Sequence, residues 1–111
     1  MESSDAIAAL GALAHDTRLS LFRLLVKAGD NGMAAGDIAS ALDVAPSTLS
    51  HHLTQLEQGG LIVAHRRSRH IFYRIIVENV RTLLSYLAED CCGGKPELCG
   101  LRTTHGASPS C

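Results

Sequence analysis

Two short helical patterns separated by a three-residue turn constrain the fold of this 111-residue chain more than any other feature. Residues 34–42 carry apolar side chains at helical spacing, and residues 43–45 form a turn. Pro46 suits the first turn of a second helix, which is predicted to end at Gln58, before the glycine pair 59–60. The apolar stripe of this second helix consists of Leu49, Leu53 and Leu56. The pattern indicates a helix-turn-helix unit.

A basic β-hairpin is predicted directly after this unit. Residues 61–65 and 71–76 are strand-like runs, and residues 66–69 (Arg-Arg-Ser-Arg) separate them. Residues 46–74 carry four arginines against one glutamate, although the whole chain has a net charge of −1. A localised basic segment in a nearly neutral chain favours an anionic partner such as a nucleic-acid backbone. A small α+β core with a solvated basic hairpin is the alternative.

The remaining residues predict two helices before the helix-turn-helix unit and one after the hairpin. One apolar face of the first helix comprises Ile7, Leu10 and Ala14, and the last helix shows a clear stripe at Val80, Leu83, Leu84 and Leu87. We therefore predict a mainly α fold with a β-hairpin wing (α+β), a winged helix-turn-helix in the order ααααββα. Residues 1–90 form this domain and residues 91–111 a cysteine-containing tail. The length, the acidic N-terminal residues 1–10 and the lack of a long apolar run lead us to expect a cytoplasmic protein without a membrane partner.

The polar face of the second helix of the unit is predicted to contact double-stranded DNA in the major groove. Hydroxyl and free N–H groups in its first turn suit phosphate oxygens, and the hairpin tip would reach an adjacent backbone or minor groove. The candidate DNA contacts are Ser47, Thr48, Ser50, His51, Gln55, Arg67 and Arg69. No arrangement of catalytic residues stands out, so an enzyme is not expected.

Three motifs resemble the ArsR/SmtB repressors. Residues 10–25 (LGALAHDTRLSLFRLL) are similar to the opening of that family, residues 50–53 (SHHL) to its recognition helix, and residues 72–74 (FYR) to its wing. The resemblance covers roughly residues 6–90. It implies a homodimeric repressor that binds a palindromic operator and releases it on meeting a metal or metalloid. It also implies a dimer interface through the first and last helices, at Ile7, Leu10, Val80, Leu83 and Leu87.

The resemblance leaves the inducer site open. In one arsenic-sensing version of the family, cysteines occupy the helix before the recognition helix, but the matching positions here are Ala34, Gly36 and Ala39. Zinc sensors use Asp and His pairs on the last helix, and residues 77–90 contain no histidine. The resemblance therefore implies that the ligands lie elsewhere.

All four cysteines fall in the last 21 residues, at Cys91, Cys92, Cys99 and Cys111. Thiolates are soft ligands for thiophilic ions. Three thiolates without a fourth ligand suit trivalent arsenic or antimony, whose lone pair occupies the remaining position. A vicinal pair followed by a third cysteine resembles a subset of arsenic-responsive family members. We predict that Cys91, Cys92 and Cys99 bind arsenite, antimonite or a methylated arsenical as inducer, with Cys111 as a spare. Repression itself needs no cofactor.

Other ligands for these thiolates remain open. Cadmium or lead could bind the same three sulfur atoms, and zinc could add His105 as a fourth ligand. A redox switch would pair two of the cysteines, whereas a structural disulfide is disfavoured in a reducing cytosol. A metal-storage module would use the thiols but leave the recognition helix without a role.

Overall fold

The computed structural model describes residues 1–88 and contains five helices and three strands. The elements in chain order are α1 Ser3–Leu13, α2 Asp16–Ala28, β1 Met33–Ala34, α3 Ala35–Leu42, α4 Pro46–Gln58, β2 Ile62–Arg67, β3 His70–Ile75 and α5 Val77–Leu87. A 3₁₀ turn, Gly29–Asn31, follows α2. The predicted class, a mainly helical winged helix-turn-helix, is confirmed. The predicted order needs one correction, because β1 was missing from it.

Strand β1 lies at the edge of a three-stranded antiparallel sheet in the order β1-β3-β2. Its two residues pair across the strands, Met33 with Tyr73 and Ala34 with Phe72. Ala34 was predicted as the first residue of the third helix. The helix instead begins at Ala35, because the backbone of Ala34 is extended and pairs with β3.

The hairpin of β2 and β3 is longer than the sequence predicts. Strand pairing continues to Arg67 opposite His70, so only Ser68 and Arg69 form the turn. Ser68 adopts a left-handed conformation with φ 56°, which a tight two-residue connection requires. The tip of the wing is therefore held by backbone hydrogen bonds almost to its end.

The core forms where leucine stripes of the helices meet the base of the sheet. Its most deeply buried large side chains are Leu21, Leu25, Ile38, Leu49, Leu56, Leu61 and Ile62. Helix α1 contributes small residues, since its buried face is Ala6, Ala9 and Ala12. The larger Ile7 and Leu10 lie on its exposed side. The small inner face lets α1 approach α4 closely.

Within residues 1–88, no helix is both long and apolar enough to cross a membrane.

Candidate nucleic-acid interface

The turn between α3 and α4 orients α4, the recognition helix of the predicted unit. Asp43 adopts a left-handed conformation (φ 55°, ψ 50°) after the last residue of α3, a position at which Asp is tolerated because its side chain is short. The backbone N–H of Val44 donates to the Ala39 carbonyl at 3.1 Å, which closes the end of α3. Pro46 then occupies the first turn of α4. The predicted three-residue turn is thus observed.

Helix α4 has one buried and one exposed face. Leu49, His52, Leu53 and Leu56 are buried. Among the predicted DNA contacts on this helix, Ser47, Thr48, Ser50 and His51 are exposed and Gln55 is half-buried. Thr54 and Gln58 are also exposed on this helix. Hydroxyl, imidazole and amide groups on one solvent-facing surface can hydrogen-bond to base edges.

The first turn of α4 is suited to bind an anion. Its N-cap, Ala45, provides no side-chain hydrogen bond to the free N–H groups, and the turn contains no acidic residue. The backbone N–H of Leu49 donates to the Ala45 carbonyl at 2.9 Å and closes the first turn. The N–H groups of Ser47 and Thr48 lie ahead of it, beside their own hydroxyls. A phosphate oxygen satisfies such donors and gains from the helix dipole.

The wing carries its arginines on both faces and at the turn. Arg67 lies over the ring of Phe72, with its guanidinium carbon 4.7 Å from the ring centroid, and His65 stacks on the same ring at 5.9 Å. This cation–π contact fixes the stem of Arg67 while leaving it exposed. Arg69 lies in the turn, also exposed.

Two further basic side chains, Arg74 and His70, lie on this surface beside the predicted contacts. Both are exposed. The register of β2 and β3 pairs Arg67 with His70 and Val63 with Arg74. Alternation along a strand therefore puts Arg67, His70 and Arg74 on one face of the hairpin. This alternation was readable in the sequence, but only after the hairpin turn had been placed at Ser68.

Two histidines join α2 to the buried face of α4. His15 Nδ1 accepts a hydrogen bond from the Thr17 N–H at 3.1 Å and so caps α2. The ring of His52 lies 4.7 Å from that of His15, and its Nδ1 is buried without a hydrogen-bond partner. Burial, followed by the nearby His15, Arg18 and His51, lowers the pKa of His52.

The structure divides the residues that the resemblance assigned to a dimer interface. Ile7, Leu10 and Leu87 are exposed, which leaves them free to contact another chain. Val80 is half-buried against the core. Leu83 is only 4% exposed and packs inside the protomer, which leaves little of its side chain for contact with another chain. Leu84, 50% exposed, lies on the outer side of α5 instead.

Residues 1–88 contain no group of three or more His, Cys, Asp or Glu side chains that could hold a metal ion. The predicted inducer ligands Cys91, Cys92 and Cys99 lie outside the described residues, as does Cys111.

An exposed polar recognition helix whose first turn has free N–H donors, flanked by a basic wing, defines a winged helix-turn-helix DNA-binding protein. The model of a helix-turn-helix domain family matches residues 13–65. A transcriptional repressor of Bacillus subtilis is 32% identical over 80 residues, covering 68% of this chain and 86% of that protein.

Two further comparisons bear on the subfamily. The homodimeric winged helix-turn-helix DNA-binding domain of a Mycobacterium bovis protein, described as a possible ArsR-family regulator, is 30% identical. It superimposes with a TM-score of 0.65 over 80% of this chain and 82% of that one. An arsenic resistance transcriptional regulator of Pseudomonas putida is 29% identical over 57% of this chain and 48% of its own length. The chain belongs to the ArsR family of winged helix-turn-helix transcriptional regulators.

Proposed function

We propose that the protein is a cytoplasmic repressor that binds operator DNA as a homodimer and dissociates when three cysteine thiolates bind trivalent arsenic. The observation that carries the DNA-binding part is the first turn of α4, where free N–H groups and the hydroxyls of Ser47 and Thr48 lie together on an exposed surface. The family supplies the class of regulator.

The dimer is supported by apolar side chains that a single chain leaves in water. Ile7 is 67% exposed on α1, and Leu87 is 51% exposed on α5. Leu10 and Leu84 are exposed on the same two helices. When a second copy of the chain covers such side chains, their removal from water stabilises the dimer in proportion to the apolar area that is buried. The Mycobacterium bovis relative, whose structure is homodimeric, supports a dimer.

The inducer site is proposed from sequence position and sulfur chemistry. Cys91 and Cys92 follow α5 by only a few residues, and Cys99 comes shortly afterwards. Arsenite reacts with three thiols to form three arsenic–sulfur bonds, and its three hydroxyl groups leave as water with the thiol protons. The Pseudomonas putida relative is an arsenic resistance regulator, which supports arsenic as one such soft ion. Such a site is joined directly to a helix of the proposed dimer interface.

Binding of inducer and binding of operator must oppose each other to the same degree. If arsenic weakens operator binding by a given factor, operator binding weakens arsenic binding by that factor. A tenfold change corresponds to a difference of about 1.4 kcal/mol between the free energies of arsenic binding to the free and the operator-bound protein.

Operator release by single-cysteine variants tests the proposal. The protein selects its operator from a random-sequence DNA library, and fluorescence anisotropy follows release during arsenite titration. We expect Cys91→Ser, Cys92→Ser and Cys99→Ser to keep operator binding but lose arsenite-induced release. Cys111→Ser is the matched control and should respond like the wild type. Normal release by all three variants would refute the arsenic site.

Parallel titrations identify the ion. Antimonite should act like arsenite, whereas release by cadmium, lead, zinc or peroxide alone would assign a different signal to the same cysteines. X-ray absorption on the arsenite-loaded protein should show three sulfur neighbours at arsenic. Oxygen or nitrogen as the main neighbours would contradict the thiolate site.

A further inference from the structure

The C-terminal end of the recognition helix α4 is held between α1 and α5. On the α1 side, Gly59 has no room for a side chain, because a Cβ there would lie 2.9 Å from the Ala12 Cβ and 3.3 Å from the Ala8 carbonyl oxygen. The backbones of α1 and the end of α4 therefore approach closely at Gly59, which leaves little freedom for α1 to move independently of α4. The small inner face of α1 makes the approach possible.

On the α5 side, one side-chain hydrogen bond ties the next residue. Asn79 Nδ2 donates to the Gly60 carbonyl at 2.7 Å. Gly60 has φ 77°, a left-handed conformation that orients this carbonyl after the helix has ended. Within residues 1–88, this is the side-chain hydrogen bond with the greatest sequence separation, 19 residues; the others join residues at most six apart.

Both helices that hold the end of α4 also carry the exposed apolar residues of the proposed dimer interface. These residues are Ile7 and Leu10 on α1, and Leu84 and Leu87 on α5. Helix α4 is 13 residues long, roughly 20 Å at 1.5 Å per residue. Because its backbone is hydrogen-bonded along this length, we expect a displacement of its C-terminal end to shift its first turn, the proposed contact with DNA.

We propose that Asn79 is a positioning residue that couples the pose of α5 to the pose of the recognition helix. The hydrogen bond to Gly60 transmits a shift of α5 to α4, and the close packing at Gly59 makes α1 move together with α4. Part of this inference, the link to the inducer, rests on the proposed function. The link between α5 and DNA binding does not.

The test that needs no inducer is hydrogen exchange of α5 with and without operator DNA. In the wild type, operator binding should slow amide exchange across Val77–Leu87. In Asn79→Ala, DNA binding should leave that exchange unchanged. Thr82→Val is the matched control, because the Thr82 hydroxyl donates to the Glu78 carbonyl at 2.8 Å within α5 and does not reach α4. It should behave like the wild type.

Equal exchange changes in wild type and Asn79→Ala, whether both proteins are protected or neither is, overturn the proposal. Asn79→Asp serves as a second variant if the alanine variant folds poorly, because it keeps the side-chain size and removes the donor. It should match the expected alanine result.

The inducer arm separates coupling from a purely structural role. The readout is the ratio of operator Kd with and without arsenite. We expect Asn79→Ala to lower this ratio at least tenfold relative to wild type, while arsenite still binds. A structural role alone would weaken operator binding in both states and keep the ratio. If wild type itself ignores arsenite, the proposed function fails, and the exchange experiment still decides the coupling.

Discussion

The imidazole rings of His15 and His52 lie 4.7 Å apart and join the start of α2 to the buried side of α4. His52 is 7% exposed, and its buried Nδ1 has no hydrogen-bond partner. Besides burial, the groups that lower its pKa are His15 and Arg18 at the start of α2 and His51 on α4. Protonating His52 in the folded protein would therefore place a charge near the Arg18 guanidinium and away from water.

This arrangement predicts a loss of stability in mild acid. The pKa of His52 is lowered from its ordinary value of 6.5, mainly by burial, so the unfolded chain takes up the proton first as the pH falls. The free energy of unfolding should decrease below pH 6.5 and stop decreasing once the folded state is protonated too. Well above pH 6.5, His52 is neutral in both the folded and the unfolded state and does not change the free energy of unfolding with pH.

Urea unfolding at a series of pH values measures this effect. His52→Gln should flatten the decrease, whereas His70→Gln, at an exposed position on the wing, should keep it. Identical pH profiles for wild type and His52→Gln would show that another group is responsible.

Shortening a core leucine should cost far more than shortening an exposed one on the same helix. Leu21 is 0% exposed and Leu19 is 46% exposed, both on α2. Leu21→Ala should lower the free energy of unfolding by about 2–5 kcal/mol, because it leaves a cavity. Leu19→Ala should cost less than about 1 kcal/mol. Comparable losses in urea titrations would contradict the assigned core.

Adding a methyl group at the end of α4 should be destabilising. At Gly59 the new Cβ meets Ala12 and the Ala8 carbonyl, so Gly59→Ala should cost about 1–3 kcal/mol through overpacking. Gly36→Ala is the matched control, because nothing lies within 4 Å of a Cβ there. It should leave stability unchanged or raise it by up to about 1 kcal/mol. Thermal unfolding of both variants makes the comparison.

A negative charge in the first turn of α4 should move stability and DNA affinity in opposite directions. Ser47→Asp complements the helix dipole and should raise stability by about 0.3–1 kcal/mol. The same carboxylate repels phosphate, so operator affinity should fall at least roughly tenfold. Ser47→Ala, which removes the hydroxyl without adding charge, should lose less affinity. An unchanged operator Kd in Ser47→Asp would place this turn away from the DNA.

The wing arginines should contribute affinity regardless of base sequence. Replacing Arg67 and Arg69 together by alanine should weaken binding to operator and unrelated DNA alike. Each lost phosphate contact lowers the slope of log K against log salt by about 0.9, so the double variant should lose roughly two. Arg81→Ala, on α5 and outside the wing, is the control. A salt slope equal to wild type in the double variant would remove the wing from the DNA contact.

The parts of the fold that could be predicted are those with a periodic signal. Leu49, Leu53 and Leu56 repeat at helical spacing, and Pro46 marks a helix start, so α4 and its exposed face followed from the sequence. Strand β1 has only two residues, too few to show an alternating pattern. It forms because β3 offers a free edge, which only the folded chain reveals.

Orientation was harder to predict than helix formation. On α1 the sequence shows an apolar face at Ile7 and Leu10, but the close approach of α4 at Gly59 accepts only small residues, so the alanines face the protomer core. On α5, Leu83 and Leu84 are neighbours on the same stripe, and packing alone decides which is buried. The bond from Asn79 to Gly60 joins residues far apart in sequence and leaves no pattern to recognise.

The alanine face of α1 has a consequence for how the protein responds to dilution. Methyl groups bury little apolar area, so most of the hydrophobic free energy that α1 can supply resides in its outward Ile7 and Leu10. In the proposed dimer, that energy is realised only when a second subunit is present. Melting temperature should therefore rise with protein concentration.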